Sequence, residues 1–259
     1  MYFPRPVVSS TLLHLLCRVP VLVVPVVLGI IFGLPHLYNT KPECCALQAM
    51  VTFSFDDGYV STYTKALPIL EKYGFVGTVF VVTSVIDTPC YLTTFQLQEL
   101  QRKGWEIGSH THTHRFLTEL SEEELREELT RSKIILDSLG LKVFGIASPG
   151  GMYNEKVISA ISQYYSYHRT SWPAGLNDLP LKDENDRYYL KAVSIETTTT
   201  LEEAKQWVLK AKAEKKWLIF VFHRIDETGR YNWSSQDFEE LVKFIKEQGF
   251  EGVPLSAVL

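Results

Sequence analysis

The chain has 259 residues, of which 46% are hydrophobic and 22% are charged, and its formal net charge is −4. This composition is typical of a globular protein with a sizeable core, and the negative charge argues against nucleic acid as the main partner. Four cysteines are too few for a disulfide scaffold, and the sequence contains no internal repeat. No feature of the sequence indicates a protein partner.

The N-terminal segment differs from the rest because residues 19–34 are uncharged and almost entirely apolar. As a helix this run would span about 24 Å, slightly less than the hydrocarbon core of a bilayer. Arg5 and Arg18 precede it, and positive charge tends to stay in the cytoplasm. We expect residues 1–49 to be a signal anchor and linker that ties the chain to a membrane and places the body outside the cytoplasm. A cleaved signal peptide, giving a secreted protein, and a buried core helix are the alternatives.

From residue 50 onward, predicted strands and helices alternate. Short apolar runs predict strands at residues 50–55, 77–82, 105–110, 141–148, 164–170, 188–195, 217–222 and 252–255. Apolar residues at helical spacing predict helices at residues 61–73, 93–103, 121–139, 154–161, 200–211 and 234–248. Capping-box patterns mark the helix starts at Ser121 and Thr200. Such alternation implies parallel strands joined by helical crossovers.

Two layouts fit this alternation, an open doubly wound sheet and a closed barrel. The regular spacing and the absence of a Gly-rich nucleotide-binding turn favour an α/β protein with a (β/α) barrel formed by residues 50–259. In either layout the chemistry collects where the parallel strands end, at their C-terminal side.

Polar residues follow several of these strand ends. Asp56 and Asp57 follow the first strand, and Gly58 permits a turn there. His110 ends the third strand, and His223 directly follows the strand of residues 217–222. This distribution predicts that the acids and histidines share one cleft.

The alternating histidines after the third strand allow two readings. In an extended segment His110, His112 and His114 would share one face, whereas in a helical turn only His110 and His114 would. We favour the second pairing because these residues lie past the end of the strand. Two imidazoles and one carboxylate leave an open position on a divalent metal, as catalytic zinc sites require.

Two of these motifs resemble those of a known family. Thr-Phe-Ser-Phe-Asp-Asp-Gly-Tyr at residues 52–59 and His-Thr-His-Thr-His at residues 110–114 are similar to the first two motifs of the NodB-type polysaccharide deacetylases, carbohydrate esterase family 4. Val-Phe-His at residues 221–223 resembles the family's closing Leu-x-His motif. The resemblance covers residues 50–259, keeps the motif order, and implies a distorted (β/α) barrel.

The resemblance also implies roles for individual residues. Asp57, His110 and His114 would bind the metal, usually zinc. Asp56 would be the general base and His223 the general acid. The expected reaction is hydrolysis of N-acetyl groups on an amino-sugar glycan, and His112 has no role in it.

The chain departs from the family pattern in its third and fourth motifs. The third motif often reads Arg-x-Pro-Tyr, but residues 147–151 read Ala-Ser-Pro-Gly-Gly, so the arginine that orients the base is missing. The segment is closer to branches with Tyr-Pro-Tyr-Gly, and the Gly150 N–H can still serve an oxyanion hole. The fourth motif has no clear match, and Lys191 stands where some members carry arginine.

Substrate contacts are expected from aromatic side chains near the strand ends. Tyr153 and Trp172 lie in loops beside the inferred site and could face sugar rings, although ordinary packing is the alternative for each. Two alternative functions fit the same motifs. One is an O-deacetylase on an acetylated glycan, and the other is a non-catalytic glycan-binding relative.

Overall fold

The computed structural model describes residues 49–226 and 228–259. The predicted hydrophobic N-terminal helix therefore lies outside the described residues, and the domain boundary near residue 50 stays a prediction. None of the helices in the described part of the chain is both long and apolar enough to span a bilayer.

Within the described residues, ten strands form two sheets. They are β1 (Met50–Phe55), β2 (Gly77–Val81), β3 (Glu106–Ser109), β4 (Gly145–Ala147), β5 (Tyr167–Arg169), β6 (Val193–Ser194), β7 (Trp217–Phe222), β8 (Arg224–Ile225), β9 (Asn232–Trp233) and β10 (Glu251–Gly252). The main sheet has the order β5-β4-β3-β2-β1-β7-β6, and β10 pairs with the start of β1. Every pairing between these strands is parallel, as predicted.

Six α-helices connect the strands, at nearly the predicted positions. They are α1 (Leu67–Tyr73), α2 (Thr94–Arg102), α3 (Glu122–Ser138), α4 (Glu155–Ile161), α5 (Leu201–Glu214) and α6 (Ser235–Glu247). A π-helical stretch, Thr62–Ala66, leads into α1. Both predicted capping boxes are present, because the side chains of Ser121 and Thr200 each accept a hydrogen bond from the backbone of the glutamate three residues later.

The central strand β1 is buried on both faces. Phe53 and Phe55 have no exposed surface and pack against Phe238 of α6, at ring-centroid distances of 6.2 and 5.9 Å. On the opposite face Ser54 is equally buried and donates a hydrogen bond of 2.8 Å to the carbonyl of Phe220 in β7. Apolar side chains thus fill the helix-covered face, while the polar residues of β1 are satisfied by neighbouring backbone.

The sheet curves into a half-barrel with helices around it. Leu190 forms a bridge to Arg169 at the end of β5, and three residues later Val193 pairs with Phe220 of β7. One short segment therefore contacts both sides of the curved sheet. Inside the curve a second apolar cluster includes Phe80, Tyr167 and Trp217.

The main differences from the predicted elements are in length. The strands predicted at residues 141–148 and 188–195 are reduced to β4 and β6, because each pairs with its neighbours over only a few residues. The last predicted strand, 252–255, lies instead at β10, and Leu255–Ala257 forms a 3-10 helix. The pair β8–β9 was not predicted.

Candidate active site

A cavity of about 900 Å³ opens at the C-terminal ends of β1, β3 and β7. It brings together all but one of the predicted site residues, which are Asp56, Asp57, His110, His114, Gly150, Trp172 and His223. The exception is Tyr153. Its ring packs against those of His168 and Tyr189, at centroid distances of 5.6 and 5.8 Å, and it does not line the cavity, so its role as a substrate contact stays a prediction.

The two acids separate because the chain turns between them. The N–H of Asp56 still continues the sheet, donating to the carbonyl of Phe222 at 2.8 Å. Asp57 then has a φ of 69° and Gly58 a φ of 79°. A left-handed conformation is uncommon for a residue other than glycine and is strained, and such strain concentrates at functional sites. The turn sends the Asp57 carboxylate to the histidines and leaves Asp56 inside the half-barrel.

Asp57, His110 and His114 form a cluster in which one ligand atom from each lies within 4.8 Å of the others. The Nε2 atoms of His110 and His114 are 3.5 and 3.3 Å from Asp57 Oδ1. His110 Nδ1 lies 2.8 Å from the carbonyl of Ala147, which can only accept, so this nitrogen carries the proton and Nε2 keeps its lone pair toward Asp57.

The electrostatics of this cluster fit a divalent cation. Asp57 Oδ1 is buried, and no group in residues 49–226 or 228–259 makes a hydrogen bond of good geometry to it. Burial alone would raise the pKa of Asp57, but contact with His114 and the charge of His110 outweigh it and hold that pKa well below its ordinary value. Burial lowers the pKa of His110. A carboxylate held ionised beside two imidazoles is a donor set that zinc accepts.

The loop that carries the histidines is not helical. Thr111 and His114 both have positive φ, 69° and 63°, and these two turns bring His114 back toward His110. His112 points elsewhere, with Nδ1 2.9 Å from the hydroxyl of Thr83. The predicted pairing of His110 with His114 agrees with the structure, although the helical turn expected to produce it is absent.

An arginine from outside the third motif contacts the predicted base and stands in for the arginine that residues 147–151 lack. The guanidinium Nη2 of Arg169, at the end of β5, donates to Asp56 Oδ1. The side chains of Arg169 and Asp56 are 0% and 5% exposed. The Cζ atom of Arg169 also lies over the ring of Phe80, 5.0 Å from its centroid. Burial raises the pKa of Asp56, but the charges of Arg169 and His110 outweigh it, so the net pKa is lowered and Asp56 is held as a carboxylate.

Lys191 does not take this place. Its side chain is exposed, its backbone pairs with the amide group of Asn177, and it does not line the cavity. Arg169 could have been found from the sequence by the rule that located the acids, because it is a charged residue at the C-terminal end of a buried strand, Tyr-His-Arg. The prediction did not include Arg169 because the sequence of residues 164–170 gives a weaker strand signal than the other predicted strands.

His223 is positioned by packing. Its ring stacks on Tyr231 with a centroid distance of 4.6 Å and an interplanar angle of 23°. Its Nδ1 is buried without a hydrogen-bond partner in the described parts of the chain, 49–226 and 228–259. No carboxylate orients this imidazole there, which agrees with the unmatched fourth motif. Tyr231 is a site residue that the sequence did not indicate.

Aromatic side chains surround the cavity mouth. Trp172 is 70% exposed, and Phe116, which is 46% exposed, lies against Gly150. Gly150 has a φ of 63°, and a Cβ there would lie 2.7 Å from Phe116 Cε1, so glycine is needed for both conformation and space. On the side of α5 the cavity is lined by Trp207, Glu196 and Glu203.

Comparison with known proteins agrees with this geometry. A curved parallel sheet with these helices is the NodB-type (β/α) fold, and the Xyl-CE4 domain of a multidomain xylanase from the hindgut metagenome of Trinervitermes trinervoides shares it. That structure superposes with a TM-score of 0.59 at 23% identity, over 82% of this chain and 89% of its own. Residues 45–167 match the model of the polysaccharide deacetylase family.

Curated relatives match over part of their length. YxkH of Bacillus subtilis (strain 168) is 36% identical over 114 residues, 44% of this chain and 41% of its own. The peptidoglycan-N-acetylglucosamine deacetylase of Bacillus cereus is 25% identical over 126 residues, 48% of this chain and 57% of its own. The matched region thus spans about half the length of these relatives. The family resemblance is confirmed, since residues 45–167 match the polysaccharide deacetylase model and YxkH is similar over the same part of the chain.

Proposed function

We propose that this protein is a metal-dependent hydrolase that removes N-acetyl groups from an amino-sugar glycan. The observation that supports this proposal best is that one cavity holds two carboxylates with different neighbours. Asp57 faces two imidazoles that can share a cation with it, and Asp56 is held ionised by Arg169. The family match supports a deacetylase, and the similarity to the peptidoglycan-N-acetylglucosamine deacetylase of Bacillus cereus supports N-acetylglucosamine as the acetylated sugar.

The metal would be held by Asp57, His110 and His114, and zinc suits this donor set. A divalent cation bound there would act as a Lewis acid that polarises the amide carbonyl and lowers the pKa of the attacking water. The three residues contribute one negative charge in total, so the bound site keeps a net positive charge.

The protein's own groups would move the protons. Asp56 has its Oδ1 engaged by Arg169, which leaves Oδ2, 3.9 Å from His110 Nε2, on the side of the metal ligands to accept a proton from water. His223 also lines the cavity and would donate a proton to the departing amine, because an unprotonated amide nitrogen is a poor leaving group. The backbone N–H of Gly150 is the proposed additional donor to the developing oxyanion.

The aromatic groups at the mouth would bind sugar rings. Trp172 is the predicted substrate contact that lines the cavity, and Trp207 and Tyr231 extend the aromatic surface around it. An exposed indole is suited to stacking on the apolar face of a pyranose. We propose these three residues as the glycan contacts nearest the reacting acetyl group.

Acetate release from N-acetylglucosamine oligomers, by enzyme stripped with a chelator and reloaded with Zn²⁺, tests this function. The proposal expects activity that disappears on stripping and returns with Zn²⁺, and that is lost together with metal binding in Asp57→Ala or His110→Ala. Full activity of the metal-free protein would contradict the mechanism. O-acetylated glycans assayed in parallel separate the esterase alternative, and a metal-loaded protein that binds but never hydrolyses glycans would be a binding protein.

The location proposed from residues 1–49 is a membrane-attached enzyme with its domain outside the cytoplasm. The uncharged run of residues 19–34 and the arginines before it support this proposal. Fractionation of cells with and without external protease measures it directly. A domain protected in intact cells would contradict it, whereas release into the medium would indicate cleavage.

A further inference from the structure

The loop between His110 and His114 holds a conformation that its own sequence does not favour. Thr111 and His114 have positive φ values of 69° and 63°, although neither is glycine. Side-chain hydrogen bonds within the loop support the turn, with Thr111 N donating to Ser109 Oγ and His114 N donating to Thr111 Oγ1, both at 3.1 Å. These bonds fix the two ends of the loop but leave its middle to be held by something else.

Glu128 of α3 holds the middle. Its Oε2 accepts hydrogen bonds from the backbone N–H groups of His112 and Thr113, at 2.9 and 2.8 Å. Its Oε1 accepts from the hydroxyl of Thr113. The side chain is a carboxylate with only 6% of its surface exposed. Within residues 49–226 and 228–259 it forms no ion pair with a basic side chain, so its partners are the donors of this loop.

The arrangement connects Glu128 to the metal ligands through the backbone. In the sequence, His110 and His114 flank the two residues whose N–H groups donate hydrogen bonds to Glu128. A shift of those groups would change the separation of the imidazoles and their angle to Asp57. Outer contacts of this kind, which orient ligands without touching the metal, commonly govern affinity.

We infer that Glu128 is a positioning residue that presets the loop of residues 110–114 for a divalent cation. The inference rests on the metal site of the proposed function. It concerns the free energy of binding the cation, because a loop already in its bound shape loses less conformational freedom when the cation binds. Glu128 takes no part in proton transfer and lies outside the cavity.

The same helix offers a matched control one residue away. Glu127 has a side chain that is 66% exposed, and its nearest partner is Arg131 at 3.5 Å on the same helix. Glu127→Gln removes the same charge from α3 without touching the loop. In Glu128→Gln the carboxamide oxygen can still accept from the two backbone N–H groups while its NH2 group faces the Thr113 hydroxyl, so the charge-assisted hydrogen bonds to the loop are replaced by weaker neutral ones.

The experiment is a Zn²⁺ titration of the full chain, stripped of metal, in competition with a chromophoric chelator. We expect Glu128→Gln to weaken Zn²⁺ binding about 10–100-fold. Thr113→Val removes one hydrogen bond and should weaken binding about 2–10-fold. Glu127→Gln should bind as the wild type does. Thermal unfolding of each metal-free variant is measured in parallel, because a merely structural role would lower the Tm and leave affinity unchanged.

The outcomes separate the two proposals. If the wild type itself binds no Zn²⁺, the metal site of the proposed function fails and this inference fails with it. If the wild type binds but a folded Glu128→Gln binds equally well, only the inference is overturned. Equal losses in Glu127→Gln and Glu128→Gln would also overturn it, since charge alone would then be responsible. Should Glu128→Gln not fold, Thr113→Val decides, with weaker binding in support and unchanged binding against.

Discussion

The half of the cleft that carries Asp56, Asp57, His110 and His114 is fixed by hydrogen bonds, whereas the half that carries His223 is fixed by ring packing. In the first, which we call the metal half, an arginine contacts Asp56 and a backbone carbonyl lies 2.8 Å from His110 Nδ1. In the second, the acid half, the imidazole of His223 rests on Tyr231 and its buried Nδ1 has no partner within the described residues.

This difference suits the tasks proposed for the two halves. Metal ligands must be held in distance and angle together, and directional bonds do both. A ring stacked on another ring can slide and rotate at small cost. A proton donor with that freedom can follow the leaving nitrogen as its bond breaks. We therefore expect substitutions in the metal half to have larger and sharper effects than those in the acid half.

The largest effect should come from removing a ligand. His114→Ala is expected to lower kcat/KM at least about 1000-fold, because the cation loses one of three protein ligands and the attacking water is no longer activated. His112→Ala is the matched control, two residues away and outside the cavity, and should stay within about threefold. Acetate release and bound zinc are measured on the same samples. Comparable losses in both variants would mean that the loop, not the ligand, is responsible.

Breaking the Asp56–Arg169 pair should have the next largest effect. Arg169→Met leaves a buried carboxylate without its partner, which typically lowers the free energy of unfolding by about 3–5 kcal/mol. Because Arg169 helps to hold the pKa of Asp56 below its ordinary value, losing it raises that pKa. The acid limb of the pH–activity profile should therefore move to higher pH, since the base is now protonated more readily.

Urea unfolding and a pH–activity profile of Arg169→Met test both consequences. Arg169→Met combined with Asp56→Asn should regain part of the lost stability and none of the activity, since no buried charge is left unpaired. An acid limb at the wild-type position would show that Arg169 does not tune the base.

A third prediction concerns the support beneath the metal half. His168 is fully buried between the carbonyl of Tyr188 and the hydroxyl of Ser148, at 2.7 and 2.8 Å. Burial lowers its pKa from 6.5 to about 4. Between those values the unfolded chain binds a proton that the folded protein does not, so stability is complete above pH 6.5 and decreases toward pH 4.

The expected loss is about 3 kcal/mol over that interval. Urea unfolding of wild type and His168→Gln at pH 7 and at pH 4.5 measures it. The variant should show a smaller difference between the two pH values, whatever its absolute stability. The same pH dependence in both proteins would assign the loss to carboxylates elsewhere.

The smallest effect belongs to the acid half. Tyr231→Ala removes the ring beneath His223 and should lower kcat about 10-fold, in line with an aromatic contact of about 1 kcal/mol. Tyr231→Phe keeps the ring and should change kcat less than twofold. A change confined to KM in Tyr231→Ala would indicate that the ring acts only as a glycan contact and does not position His223. A loss as large as that of His114→Ala would contradict the comparison itself.

Much of the fold could be predicted because its signals are local. Capping boxes at Ser121 and Thr200 mark helix starts within four residues of sequence, and the apolar run of β7 needs no partner to be recognised. The lengths of β4 and β6 could not be predicted in this way. They depend on how far the curved sheet lets each strand pair, and Leu190 and Val193 divide their pairing between different neighbours.

The site residues also divide into those that short motifs predict and those that only the folded sheet brings together. Asp57, His110 and His114 belong to short motifs whose spacing suggests a shared cation. Arg169 meets Asp56 from 113 residues away, and the curvature of the sheet decides that contact. The placement of Tyr153 outside the cavity lining could not be predicted for a related reason, because a loop aromatic can turn toward the core or the cavity and proximity in sequence does not determine which.

The pairing of β1 has a consequence for the order in which the protein forms during synthesis. Ser54 of β1 bonds to Phe220 of β7 across a separation of 166 residues, and Met50 pairs with Glu251 near the end of the chain. β1, which both acids follow, is therefore synthesised before its partner strands, and its pairing is completed only when β7 and β10 have formed. Contacts between such distant residues form slowly because a long loop must close before they contribute. The nascent domain should therefore stay incomplete until β7 has been synthesised.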